Sequence, residues 1–188
     1  GTCILLDKHL NGVAYGNNTF VAVGNSGVIT RSIDNASSWS KSLSGISQHL
    51  NGVTFGNNTF VAVGDSNKIV RSTDNGASWS RPASGVTYHY LKGVAFGNNT
   101  FVAVGQSSWS NNWWSNTRYV RILKSTDYGS SWTSQNSPYY NTIDLYGVNF
   151  GSNKFVAVGE GGKIVRSSNY GSSWDNVTSG VDPWPPIG

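Results

Sequence analysis

The chain of 188 residues carries nine Asp or Glu, three His and thirteen Lys or Arg side chains, so any reactive site must be assembled from few groups. The histidines are placed in a pattern. His9 and His49 stand immediately before Leu10 and Leu50, His89 is one residue further from Leu91, and Asp144 precedes Leu145. Three imidazoles and a carboxylate at equivalent positions form a donor set suited to a metal ion, provided one channel mouth gathers them. The plainer reading is that repetition placed a polar residue at each loop end, and it requires no cofactor. Glycoside hydrolysis needs two carboxylates at a defined separation. Glu160 is the sole Glu, and it shares a repeat position with Asp65, where the other copies have Asn25 and Gln106. A loop position that takes any hydrophilic residue explains this pair equally well. Arg31, Arg71, Lys124 and Arg166 also share one repeat position, which suits a structural, solvated cation better than an anion-binding cluster. The inventory leads us to expect no enzyme.

A second chemistry is suggested by aromatic residues. Trp109, Trp113, Trp114 and Tyr119 lie in the Ser/Asn-rich stretch SSWSNNWWSNTRY. Exposed rings beside amides suit stacking on sugar faces or contact with a protein. Folding back over a sheet edge is the competing explanation. Tyr139, Tyr140 and Trp184 extend the same aromatic set.

The elements that position these residues are repeats. LNGVAYGNNTFVAVG at Leu10 recurs with small changes at Leu50, Leu91 and Leu145, at spacings of 40, 41 and 54 residues. The long interval holds the aromatic insertion. Each unit reads as short strands rich in Val, Phe and Ile, separated by Gly and Asn turns, and nothing has sustained helical periodicity. A β-type period near 40 residues predicts an all-β, four-bladed β-propeller of four-stranded antiparallel blades. The blades fall near 10–49, 50–90, 91–144 and 145–181, preceded by a segment 1–9 and followed by a tail 182–188.

Each unit also carries an octet, SIDNASSW (32–39), STDNGASW (72–79), STDYGSSW (125–132) and SSNYGSSW (167–174). Asp34, Asp74, Asp127 and Asn169 are suited to accept hydrogen bonds within their own turns. Trp39, Trp79, Trp132 and Trp174 are expected to bury their indoles between strands or blades. This pattern resembles the Asp-box, or BNR-type repeat, of sialidase-like secreted propellers. The resemblance implies that the octet is a folding device remote from any catalytic centre. Ala36 replaces the Gly of the first octet and Asn169 the Asp of the fourth. Similarity to tectonin-type repeat lectins supplies the carbohydrate-binding alternative.

Charged residues are 12% of the chain, against roughly 25% in an average soluble domain. The net charge of +4 is spread along the sequence, which argues against nucleic acid as a partner. No apolar run reaches the roughly 20 residues of a membrane span. The absence of Met, the start Gly1-Thr2-Cys3 and the Ser/Asn/Thr-rich composition lead us to expect an exported protein, extracellular or on the cell surface. Asn17, Asn57 and Asn98 open Asn-Asn-Thr triplets that fit both N-glycosylation and hairpin turns. TCILLD (2–7) reads as a strand apolar on both faces, surplus to the four units. Cys3, Ile4, Leu5 and Leu6 would be buried by adding this strand to the fourth unit of the same chain, or to a neighbouring molecule's edge, which gives a homo-oligomer or filament. A segment of a larger propeller is a further reading of the same repeats. The leading expectation is a self-assembling structural propeller, with sugar binding as the alternative and glycoside hydrolysis behind both.

Overall fold

In a computed structural model, residues 9–82, 89–107, 118–119, 121–138, 140–141 and 144–181 are described. The strands follow the repeats. The first unit gives β1 (Leu10–Gly16), β2 (Thr19–Gly24), β3 (Val28–Ser32) and β4 (Ser40–Leu43), and the second gives β5 (Leu50–Gly56), β6 (Thr59–Gly64) and β7 (Ile69–Ser72). The third unit contains β8 (His89–Gly97), β9 (Thr100–Ser107), β10 (Arg118–Tyr119), β11 (Arg121–Ser125) and β12 (Thr133–Gln135), followed by β13 (Tyr140–Asn141). The last contributes β14 (Leu145–Gly151), β15 (Lys154–Gly159), β16 (Ile164–Ser167) and β17 (Asp175–Val177).

Three of the units are four-stranded antiparallel meanders. The second is a three-stranded sheet, with the single bridge Arg71↔Ser80 where a fourth strand would begin. A two-stranded ribbon of β10 and β13 pairs Tyr119 with Tyr140, so the insertion departs from the repeat. The first hairpins turn on two residues at positive φ, Asn17 (46°) and Asn18 (55°), as a type I′ turn requires and asparagine tolerates. Each inner strand carries a register shift beside its first Gly, between Leu10 and Gly12 in the first unit. Among the described residues, no helix is long and apolar enough to cross a membrane.

The core is divided between neighbouring sheets because the FVAVG strands are apolar on both faces. Val21, Val23 and Ile29 of the first sheet pack with Leu50, Phe60, Ala62 and Val70 of the second. Val61, Val63 and Ile69 repeat this against Leu91, Phe101 and Leu123 of the third. Val102, Val104 and Ile122 repeat it against Leu145, Phe155 and Val165 of the fourth. The inner strands accordingly run side by side in the order β1, β5, β8, β14. Among the described residues β14 does not pack on β1 in the same way. Among the described residues the array is an open arc. The closed four-fold channel that the metal and carboxylate expectations relied on is not formed by these residues.

Candidate functional site

Adjacent sheets meet through a small set of contacts that recurs at each step. A Cβ added to Gly16 would lie 2.1 Å from the Phe55 ring, one on Gly56 2.0 Å from Phe96, and one on Gly97 2.0 Å from Phe150. Each of these glycines is therefore a seat for the aromatic ring of the next sheet. The backbones also touch at a glycine seam, where a Cβ on Gly12 would meet Gly52 Cα at 3.3 Å and one on Gly93 would meet Gly147 Cα at 3.2 Å. Asn11, at the register shift, donates its amide to the Leu50 carbonyl at 2.9 Å, and Asn51 donates to the Leu91 carbonyl at 2.8 Å. The cations before the octets point the same way: Arg31 donates to the Asn75 carbonyl at 3.2 Å, and Lys124 to Ser172 Oγ at 2.7 Å. The repeat position alone predicts solvated side chains. They link sheets.

At the two ends of the arc the same positions are uncovered. On the first sheet Leu10 is 55% exposed and Val13 63%, whereas Leu50, Leu91 and Leu145 are fully buried. Tyr15, the equivalent of Phe55, Phe96 and Phe150, is also exposed. Leu10, Val13, Ala22 and Trp39 line a shallow, largely apolar groove of about 570 Å³ on this face. On the last sheet Val156 and Val158 are 38% and 47% exposed, while Val21, Val23, Val61, Val63, Val102 and Val104 are fully buried. Among the described residues, nothing lies within 4 Å of a Cβ built on Gly151, the last of the ring seats. These two faces are the candidate functional surface.

The octet turns hold the strands that build these faces. Asp34 accepts from Ser32 Oγ (2.7 Å), from the Ser38 backbone N–H (3.0 Å) and from Ser38 Oγ (2.6 Å). Hydrogen bonds from the hydroxyl of Ser38, the hydroxyl of Ser32 and the Ser38 backbone lower its pKa from 3.8 to about 2. At Asp74 partial desolvation opposes the shift, but bonds from Ser78 and Ser72 outweigh it and hold the pKa at about 2. Asp127 is lowered by the same balance. Asn169 keeps the turn with one polarity reversed: its Oδ1 accepts from the Ser173 N–H, and its amide donates to Ser173 Oγ at 2.8 Å. Ala36 occupies its glycine-type position at φ 67°.

Burial of the four indoles is unequal. Trp132 and Trp174 are 5% exposed, and Trp79 is partly buried, each against the valines of the preceding sheet. Trp39, expected to be buried, is 43% exposed, because among the described residues no sheet packs on it.

The polar residues at the loop ends are engaged with one another. His49 Nδ1 accepts the Ser26 backbone N–H at 3.1 Å, Asp65 accepts from Asn51 at 2.8 Å and lies 3.6 Å from Lys92 Nζ, and Asp144 accepts from Gln106 at 2.8 Å. Among the described residues no three His, Cys, Asp or Glu side chains gather as a metal site, His9, His49 and Asp144 included. The side chain of His89 lies outside the described residues, as do Trp109, Trp113 and Trp114, and Tyr119 is described only by its strand pairing. Cys3, Ile4, Leu5 and Leu6 also lie outside them.

No protein-family model and no curated protein sequence matches the chain. Solved structures do match its fold. YCF48 bound to D1 peptide superposes with a TM-score of 0.62 at 19% identity, over 92% of this chain and 53% of that one. YCF48 from Cyanidioschyzon merolae superposes with a TM-score of 0.66 at 17% identity, over 90% and 56%. The GH74 enzyme of Niastella koreensis gives 0.59 at 24% identity, over 88% of this chain and 24% of its own. These likenesses support a β-propeller fold. The chain spans little more than half the length of the YCF48 structures it matches.

Proposed function

We propose that this chain is a non-enzymatic, structural β-propeller segment of four blades that works by associating with copies of itself. The observation that carries this reading is the pair of uncovered end faces, apolar at the positions that each internal contact buries. Exposed apolar surface of this extent, bounded by polar turns, is characteristic of a protein contact rather than of an isolated domain surface. The octet turns serve as Asp-box staples in this reading, since their carboxylates are engaged by local hydrogen bonds. Low charge and a Ser/Asn/Thr-rich surface fit export to an extracellular or cell-surface setting.

Sedimentation velocity over a wide concentration range tests the reading, run on the intact chain and on a variant lacking residues 1–7. Association of both forms places the contact on the propeller; association of the intact chain alone places it on the segment containing Cys3, Ile4, Leu5 and Leu6. An intact chain that stays monomeric at high concentration overturns self-association.

A further inference from the structure

Resting on that reading, we propose that the contact is head-to-tail, with the first sheet of one copy seated on the last sheet of another as a continuation of the three internal contacts. The two end faces are not merely apolar; they are the unmatched halves of one repeated joint. Among the described residues, Gly151 is an empty ring seat, and Tyr15 is the one aromatic of its repeat position without a glycine of a preceding sheet beneath it. Tyr15 of a second copy fills Gly151 as Phe55 fills Gly16. The glycine seam continues likewise: a Cβ on Gly147 meets only Val158 of its own sheet at 3.6 Å, leaving space for Gly12 of a second copy.

The octet contacts extend the match. Gly76, Gly129 and Gly171 each approach a valine of the preceding sheet, with a built Cβ 2.9, 3.0 and 2.9 Å from Val21, Val61 and Val102. The next valine in that series is Val156, partly exposed on the last sheet, and the octet it would receive is the first. Trp39 then covers Val156 and Val158 as Trp132 covers Val61 and Val63. Arg166 occupies the place from which Arg31 reaches the Asn75 carbonyl, and the corresponding carbonyl is Asn35 of a second copy. One position departs from the series. Ala36 carries a methyl where the other octets leave glycine space, so Val156 must rotate or shift slightly to accept it.

A heterologous contact of this kind closes a ring if its rotation permits and otherwise propagates. The chain superposes on propellers nearly twice its length. Two copies joined at both ends would supply about the span of one such propeller, and closure would cover both faces of each copy.

The test uses two variants of the intact chain, Val13→Asp on the first-sheet face and Val158→Asp on the last-sheet face. Both residues are substantially exposed in a single copy, so circular dichroism and the unfolding midpoint of each variant should match the parent. By sedimentation velocity or native mass spectrometry, the parent should form dimers of the 20.2 kDa chain. Each variant alone should associate at least 100-fold more weakly, because both joints of the ring contain the damaged face. Mixed in equal amounts, they should recover dimers, since the intact last sheet of one meets the intact first sheet of the other. If the parent associates but neither charge weakens it, or if the mixture stays monomeric, the head-to-tail joint is wrong while self-association stands. A monomeric parent removes both.

Discussion

Adding one methyl group to Gly56 and to Gly151 should have opposite consequences, although both glycines end the inner strand of their repeat. At Gly56 the new Cβ would stand 2.0 Å from Phe96 Cγ, well inside the roughly 3.5–4.0 Å of a comfortable carbon contact. The ring must move by about 1.5 Å to restore that spacing. It has little freedom to do so, since its centroid lies 4.7 Å from that of Phe101 and it packs on the cluster containing Val61, Val63 and Leu123. Overpacking of this kind costs about 1–3 kcal/mol. At Gly151 no described residue lies within 4 Å, so the same substitution should change the stability of a single copy by no more than about 0.5 kcal/mol. The comparison is best made in the Val13→Asp background, which on the proposed joint disfavours association, by urea unfolding followed by Trp fluorescence. With a slope of about 1–3 kcal/mol per molar urea, Gly56→Ala should lower the midpoint by about 1 M while Gly151→Ala leaves it in place. Equal losses at both sites would mean that the last sheet is already covered. No loss at Gly56 would mean that the aromatic seat is not a packed joint.

Two further outcomes follow from the octets. Trp132→Ala should destabilise the fold by about 3–5 kcal/mol, whereas Trp39→Ala in the same monomeric background should cost about 1 kcal/mol or less, read by the same urea titration. The carboxylates of Asp34 and Asp74 have pKa values near 2 against 3.8 unperturbed, so they contribute stability that is complete above about pH 4. That contribution should be lost progressively as pH falls from about 4 towards 2, because the unfolded chain then binds protons that the folded chain does not. Asp74→Asn, which copies the arrangement at Asn169, should keep the turn and make the acid loss shallower in a thermal melt series.

Much of the architecture was legible because repetition reports on the fold directly. Strand order, the Asn-Asn hairpin turns and the local bonding of Asp34, Asp74, Asp127 and Asn169 follow from residue types within a few positions of each other. The joints between sheets were harder to read. Nothing adjacent in sequence says that Gly56 receives Phe96, about 40 residues away, or that Arg31 reaches Asn75 rather than water. The signal was present as co-repetition, a glycine and an aromatic at fixed places in every unit, but it becomes a contact only once the stacking direction is known. The ends of the arc were the least legible feature. Trp39, Val13 and Val158 have the same local sequence as their buried counterparts, and their exposure is decided by whether another sheet follows. Four similar units specify a joint without specifying how many sheets complete the circle.

Hydroxyl-radical footprinting of the intact chain across its association midpoint tests the shared joint most directly. Tyr15 and Trp39 on the first sheet and Tyr146 on the last are all substantially exposed in a single copy, and Tyr128 on the third octet provides an exposed control. As concentration rises, Tyr15, Trp39 and Tyr146 should lose reactivity together and with one midpoint, while Tyr128 keeps its own. Association that leaves those three side chains as reactive as Tyr128 would contradict the account.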